Sequence, residues 1–141
     1  MTRRTRNWIC IVVMAVGLLN FVAYAVGYGV LEGDARNGSV RDGVYRVKGH
    51  FLQGPQGKDR EVSRGAWIYS YIHSISMWPT QAAVLLAMLT LARPHIIATM
   101  RSGWLGGATL VTIVATMIVL VTLTATTVFL IDFIKTLQRV G

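Results

Sequence analysis

The chain has 141 residues, of which 53% are hydrophobic and only 14% charged, against roughly a quarter charged in ordinary soluble domains. A soluble monomer of this composition would expose more apolar surface than such proteins tolerate. The formal net charge of +8 raises nucleic acid as a partner, but the basic residues are scattered between apolar runs and no nucleic-acid-binding motif is present. Lipid headgroups are the expected anionic partner, and no nucleic acid is expected.

Residues 1–7 form a basic tail with Arg3, Arg4 and Arg6. Residues 8–31, Trp8 to Leu31, then carry no charge over 24 positions, about 36 Å of helix against a hydrocarbon core of roughly 30 Å. They are predicted to be transmembrane helix 1, with Trp8, Tyr24 and Tyr28 placed toward the interfaces. A cleaved secretory signal competes with this reading, because Ala23-Tyr24-Ala25 offers a small-x-small site. The apolar character continues through Val26 and Val30, which favours a retained anchor. Gly17, Asn20, Tyr24 and Gly27 follow helical spacing, and Ala23 with Gly27 makes a small-xxx-small pair. Such a face packs closely on a neighbouring helix, where Asn20 adds a hydrogen bond worth roughly 1 kcal/mol. Cys10, the single cysteine, reads as a buried small apolar residue.

Residues 32–66 are an extramembrane loop in which turn signals alternate with strand-like pieces. Asp42-Gly43 between Val40 and Val44-Tyr45 predicts a hairpin, and a two- or three-stranded flap this small needs the helices or a partner to rest on. Glu32, Asp34 and Asp42 invite calcium, but Arg36 stands where an EF-hand loop needs a ligand; solvated turn acids are the expectation.

Residues 67–92 are predicted to be transmembrane helix 2, capped by Ser63 and kinked at Pro79. The stretch after Pro79 reaches only about 20 Å before Arg93, so the segment from Trp67 must contribute to the crossing. Ser70, His73, Ser74, Met77 and Gln81 share one face. A polar stripe should avoid lipid, and a titratable residue in a membrane helix is a functional candidate by default; the blander expectation has His73 neutral and hydrogen-bonded to a neighbour. Residues 93–103 are a short basic loop, 104–134 transmembrane helix 3, and 135–141 a C-terminal tail. On the third helix Gly103, Gly107, Thr112 and Thr116 form a second small-residue packing stripe, and Asp132 can pair with Lys135 one turn on.

The fold class is thus an all-α integral membrane protein: three transmembrane helices with a small hairpin-like loop between helices 1 and 2. The arginines before helix 1 and the acid-free loop with Arg93, His95 and Arg101 place the N-terminus in the cytoplasm and the 32–66 loop outside, as in a bacterial inner-membrane protein. No catalytic motif is apparent. The histidines lack the facing partner that a b-type haem needs and the spacing that zinc needs, so no cofactor or metal is expected. The functional expectation is a non-enzymatic accessory subunit that binds another membrane protein or itself. The alternative is a small channel, holin-like pore or transporter using Ser70, His73, Ser74 and Gln81.

Overall fold

The computed structural model describes residues 1–49, 59–100 and 106–140. The elements run α1 (Arg3–Leu31), β1 (Asp34–Arg41), β2 (Val44–Lys48), β3 (Asp59–Val62), α2 (Arg64–Thr99) and α3 (Gly107–Val140). Three helical segments, Arg3–Leu31, Arg64–Thr99 and Gly107–Gln138, are long and apolar enough to cross a membrane, by length and composition. The chain divides into two compact units, Met1–Leu19 with Trp78–Ala125, and Asn20–Met77 with Thr126–Gly141.

Helix boundaries follow from caps. Thr2 accepts at its hydroxyl from the Thr5 N–H (3.2 Å) and at its carbonyl from the Arg6 N–H (3.1 Å), which starts α1 at Arg3, ahead of the uncharged run. Ser63 caps α2 as predicted, accepting from the Ala66 N–H at 3.2 Å. That helix continues through Pro79 and Pro94 to Thr99, so Arg93 and His95 are helical where a loop was expected. No further breaker follows Pro94 before residue 99, and the Thr99 hydroxyl folds back onto the His95 carbonyl.

In the first unit α1 and α2 meet at Gly17, where a Cβ would collide with the Val84 methyl and touch Thr80. Gly107 of α3 lies against the backbone of Ile96 and Ile97 of α2, at 2.7 and 2.8 Å from where its Cβ would be. Both glycines therefore set close helix approach. Cys10 is buried with its thiol free, as the sequence implied.

In the second unit α1 ends with Glu32 in the left-handed region (φ 58°). The Gly33 N–H reaches the Tyr28 carbonyl at 3.0 Å and the Glu32 N–H the Gly29 carbonyl at 3.3 Å, a Schellman closure with glutamate at the position glycine usually holds. The Asp42-Gly43 hairpin forms as predicted, both residues at positive φ and Arg41 paired with Val44. The strand order is β1-β2-β3, antiparallel throughout. Between Asp34 and Ser39 the register of β1 slips, and there Gly38 lies so close to the Arg46 carbonyl that no Cβ fits.

The sheet rests on the helices through one core. Ala35 and Val47 from the strands meet Trp67 and Tyr71 from α2, all 2% exposed or less, with Tyr45, Phe133 and Leu137 packed around them. The Trp67 ring stacks on Phe133 (centroids 6.2 Å, 17°) and tilts against Tyr71 at 5.1 Å. Burying this much aromatic surface is what lets three short strands persist. Outside it lie two exposed ion pairs, Arg46–Glu61 (2.8 Å) and Arg60–Glu32 (3.4 Å); the Glu61 carboxylate raises the Arg46 pKa above its ordinary value. Pairs this wet contribute little to stability.

Candidate functional site

The second unit holds a buried polar cluster built around Asp34, the first residue of β1, which is 3% exposed. Helical spacing puts Ser70 and Ser74 of α2 one turn apart, facing that carboxylate. Ser74 Oγ donates to Asp34 Oδ1 at 2.6 Å and also lies 2.9 Å from the Ser70 carbonyl. Ser70 Oγ is 3.4 Å from the same carboxylate oxygen and accepts from the Ala35 N–H at 3.1 Å. The Arg36 N–H adds a turn-type bond to Oδ1 at 3.0 Å, and Tyr24 of α1 donates its phenol to Oδ2 at 3.2 Å. A carboxylate out of water is tolerated when its lone pairs are filled, and hydrogen bonds to a charged acceptor are each worth about 1.5–3 kcal/mol.

These donors are hydroxyls and a backbone amide; among the described residues no ion pair includes Asp34. The Arg36 guanidinium turns away and lies 3.6 Å over the Phe129 ring, a cation–π contact.

One turn along α2, His73 Nε2 lies 3.2 Å from Asn20 Oδ1 of α1, so the ring donates to the amide carbonyl. The Asn20 amide reaches Met77 Sδ at 3.5 Å. Tyr24 and Tyr69 contact the imidazole edge-on at centroid distances of 5.6 and 5.5 Å. On the opposite side, the Tyr71 hydroxyl donates to Asp132 Oδ2 of α3 at 2.5 Å. The expected partner of Asp132 was Lys135, but the phenol occupies the carboxylate because it approaches from a packed aromatic core. The space beside Tyr24, Gly27 and His73, about 10 Å³, has room for at most about one water.

Most of the predicted polar face comes together. Ser70, His73 and Ser74 are engaged as described, whereas Gln81 belongs to the first unit and lines an apolar groove with Trp78, Leu85 and Met117. Of the packing stripes, Gly17, Asn20 and Gly107 make close contacts. Ala23 is exposed, and a Cβ at Gly27 would meet nothing within 4 Å. Thr112 returns its hydroxyl to the Ala108 carbonyl at 3.0 Å and lines an α2–α3 groove with Thr116. Gly103 and His50 lie outside the described residues.

Asp34 corrects an expectation: it is a buried acceptor, while Glu32 and Asp42 are solvated turn residues as foreseen. Asp34, Tyr24 and Tyr71 were not singled out together because their partners are distant in sequence. A signal did exist, in an acid three residues past the uncharged run that ends at Leu31 and in hydroxyls on a polar helix face. Among the described residues no group of three or more His, Cys, Asp or Glu lies close enough to hold a metal ion. The arrangement is chemically a clamp: it fixes the start of the sheet to α1 and α2. No family model matches the chain, and no curated protein or solved structure matches it.

Proposed function

We propose that this chain is a three-span integral membrane protein of the bacterial inner-membrane type, with its N-terminus cytoplasmic and its sheet outside. In this reading it is a non-enzymatic accessory subunit that binds another membrane protein or a second copy of itself. The observation that carries the proposal is where the polar groups go. Ser70, Ser74 and His73 are spent on Asp34 and Asn20 within the chain, so they offer little to a permeation path. The outward face of α1 is apolar instead, with Val22, Val26 and Val30 exposed; at its margin toward α2, half-buried Gly27 leaves open space where a Cβ would sit. A smooth apolar helix face with a small-residue notch at its edge is what a partner helix packs on in lipid.

Retention of α1 is supported by the same contacts. Cleavage after Ala25 would remove Tyr24 from Asp34 and Asn20 from His73. Orientation rests on Arg3, Arg4, Arg6 and Arg93, which flank the spans without an acid beside them.

The test is photocrosslinking in native membranes from a thiol-reactive photoprobe attached to an introduced cysteine, which needs no cysteine in the partner. Gly27→Cys should give a defined adduct, either a dimer of the chain or a complex with one other membrane protein. Native Cys10, being buried, should give none. Gly27→Ile should abolish the association while the chain still needs detergent for extraction. A chain that stays dispersed in buffer, or a Gly27→Cys variant that crosslinks to nothing, would refute the proposal.

A further inference from the structure

The groove between α2 and α3 in the first unit has a volume of about 360 Å³, within the roughly 300–1,000 Å³ of small-molecule sites. Its walls are Leu86 and Leu89 on one helix and Val111 and Ala115 on the other. Three threonines, Thr90, Thr112 and Thr116, lie among them, and two have their hydroxyl protons already used. Thr90 donates to the Leu86 carbonyl at 2.7 Å and Thr112 to the Ala108 carbonyl at 3.0 Å, so between the apolar side chains few hydroxyl donors face an occupant. Among the described residues Arg93 alone supplies charge. It lies seven residues beyond Leu86, about 10 Å along the helix, and it is exposed, with no carboxylate bonded to it among the described residues.

Electrostatics in this unit is one-sided. All six acids of the chain, Glu32, Asp34, Asp42, Asp59, Glu61 and Asp132, belong to the second unit. An occupant of this groove must therefore bring its own negative charge and place it beside an apolar body.

We propose that the groove seats one acyl chain of an anionic glycerophospholipid, with its phosphate held by Arg93. The walls take the methylenes, and the guanidinium takes the phosphate oxygens in the forked geometry that suits it. The proposal rests on the membrane reading above, since a lipid reaches this groove only if the helices are in a bilayer.

The experiment is native mass spectrometry of the full chain released from vesicles of equal phosphatidylglycerol and phosphatidylcholine. The wild-type chain should retain phosphatidylglycerol in preference, and inorganic phosphate at the same concentration should not displace it, because phosphate lacks the apolar part. Arg93→Gln should cut the preference about fivefold, the effect of one cation at a charged lipid surface, and Arg93→Lys should restore part of it. Ala115→Phe, which fills the groove, should lower retention of both lipids. Equal retention of the two lipids by the wild-type chain, or an Arg93→Gln variant that keeps the full preference, overturns the proposal. Displacement by phosphate alone overturns it too. A detergent-extraction control on the same membranes separates the two readings: a membrane-embedded chain without lipid preference sinks the groove alone, and a chain in the buffer fraction sinks both.

Discussion

The two units use the same three helices and opposite chemistries. The first, Met1–Leu19 with Trp78–Ala125, contains no acid and turns the Thr90 and Thr112 hydroxyls back onto its own helical carbonyls. The second, Asn20–Met77 with Thr126–Gly141, ties α1, α2, α3 and the sheet together through Asp34, His73 and Asp132. In hydrocarbon a helix satisfies its own backbone and needs little else. Three short strands cannot do that, so the second unit adds an aromatic core and a polar clamp. The comparison predicts that substitutions in the second unit cost far more than chemically equal ones in the first.

The largest effect is expected at Trp67. The residue is 1% exposed at the centre of the sheet–helix core, and truncating a buried tryptophan to alanine costs about 3–5 kcal/mol. Trp67→Ala should therefore release the sheet, seen as rapid hydrogen exchange of the Asp34–Lys48 amides in detergent. The indole N–H is buried without a partner among the described residues, so Trp67→Phe should cost distinctly less than loss of the ring. Slow exchange surviving in the alanine variant would show that the sheet does not depend on this core.

Next comes the clamp. Asp34→Ala leaves Ser70, Ser74 and Tyr24 without their shared acceptor, and such a loss costs about 3 kcal/mol. Unfolding in mixed micelles, followed by near-ultraviolet circular dichroism of the aromatic core, should register that drop. Because Ser70 and Ser74 meet at one carboxylate, their alanine substitutions should be non-additive in a double-mutant cycle. A wild-type unfolding curve for Asp34→Ala would show that the clamp adds no stability.

Which of these features could be read beforehand depended on the range of the interaction. The Asp42-Gly43 turn and the Ser63 cap are local, and the sequence predicted both. The face of Ser70, His73 and Ser74 followed from helical angle alone. The same angle also enrolled Gln81, because periodicity says which residues align and not what covers them; Asp34 covers two turns of α2 and no more. Asp34 itself lies 36 residues from Ser70, a pairing that no local pattern encodes. β3 was equally hard to foresee, since Asp59-Arg60-Glu61-Val62 has no apolar alternation and is held only by its register with β2.

The glycines sharpen the comparison at a smaller scale. Gly17→Ala drives a methyl into Val84, an overpacking expected to cost about 1–2 kcal/mol. Gly27→Ala meets nothing in the chain and gains helix propensity, so the isolated protein should be unchanged or more stable by up to about 1 kcal/mol. The proposed partner reverses that order for association, because Gly27 is then the filled notch. Thermal unfolding of the two variants beside their crosslinking yields separates the effects. Equal losses of stability would mean that the α1 face at Gly27 is already occupied.

The smallest effect should come from Thr112→Val. Its hydroxyl reaches only the Ala108 carbonyl one turn back, a bond that competes with the helix rather than joining elements, and the carbonyl keeps its backbone donor when the hydroxyl goes. A change within about 0.5 kcal/mol is expected in micelle unfolding, as for most surface substitutions. Ser74→Ala removes the same functional group in the second unit but leaves a buried carboxylate one donor short, at about 1.5–3 kcal/mol. The pair isolates what burial and a charged acceptor add to a hydroxyl. If the two variants unfolded alike, the contrast between a self-sufficient apolar unit and a clamped polar one would have no energetic content.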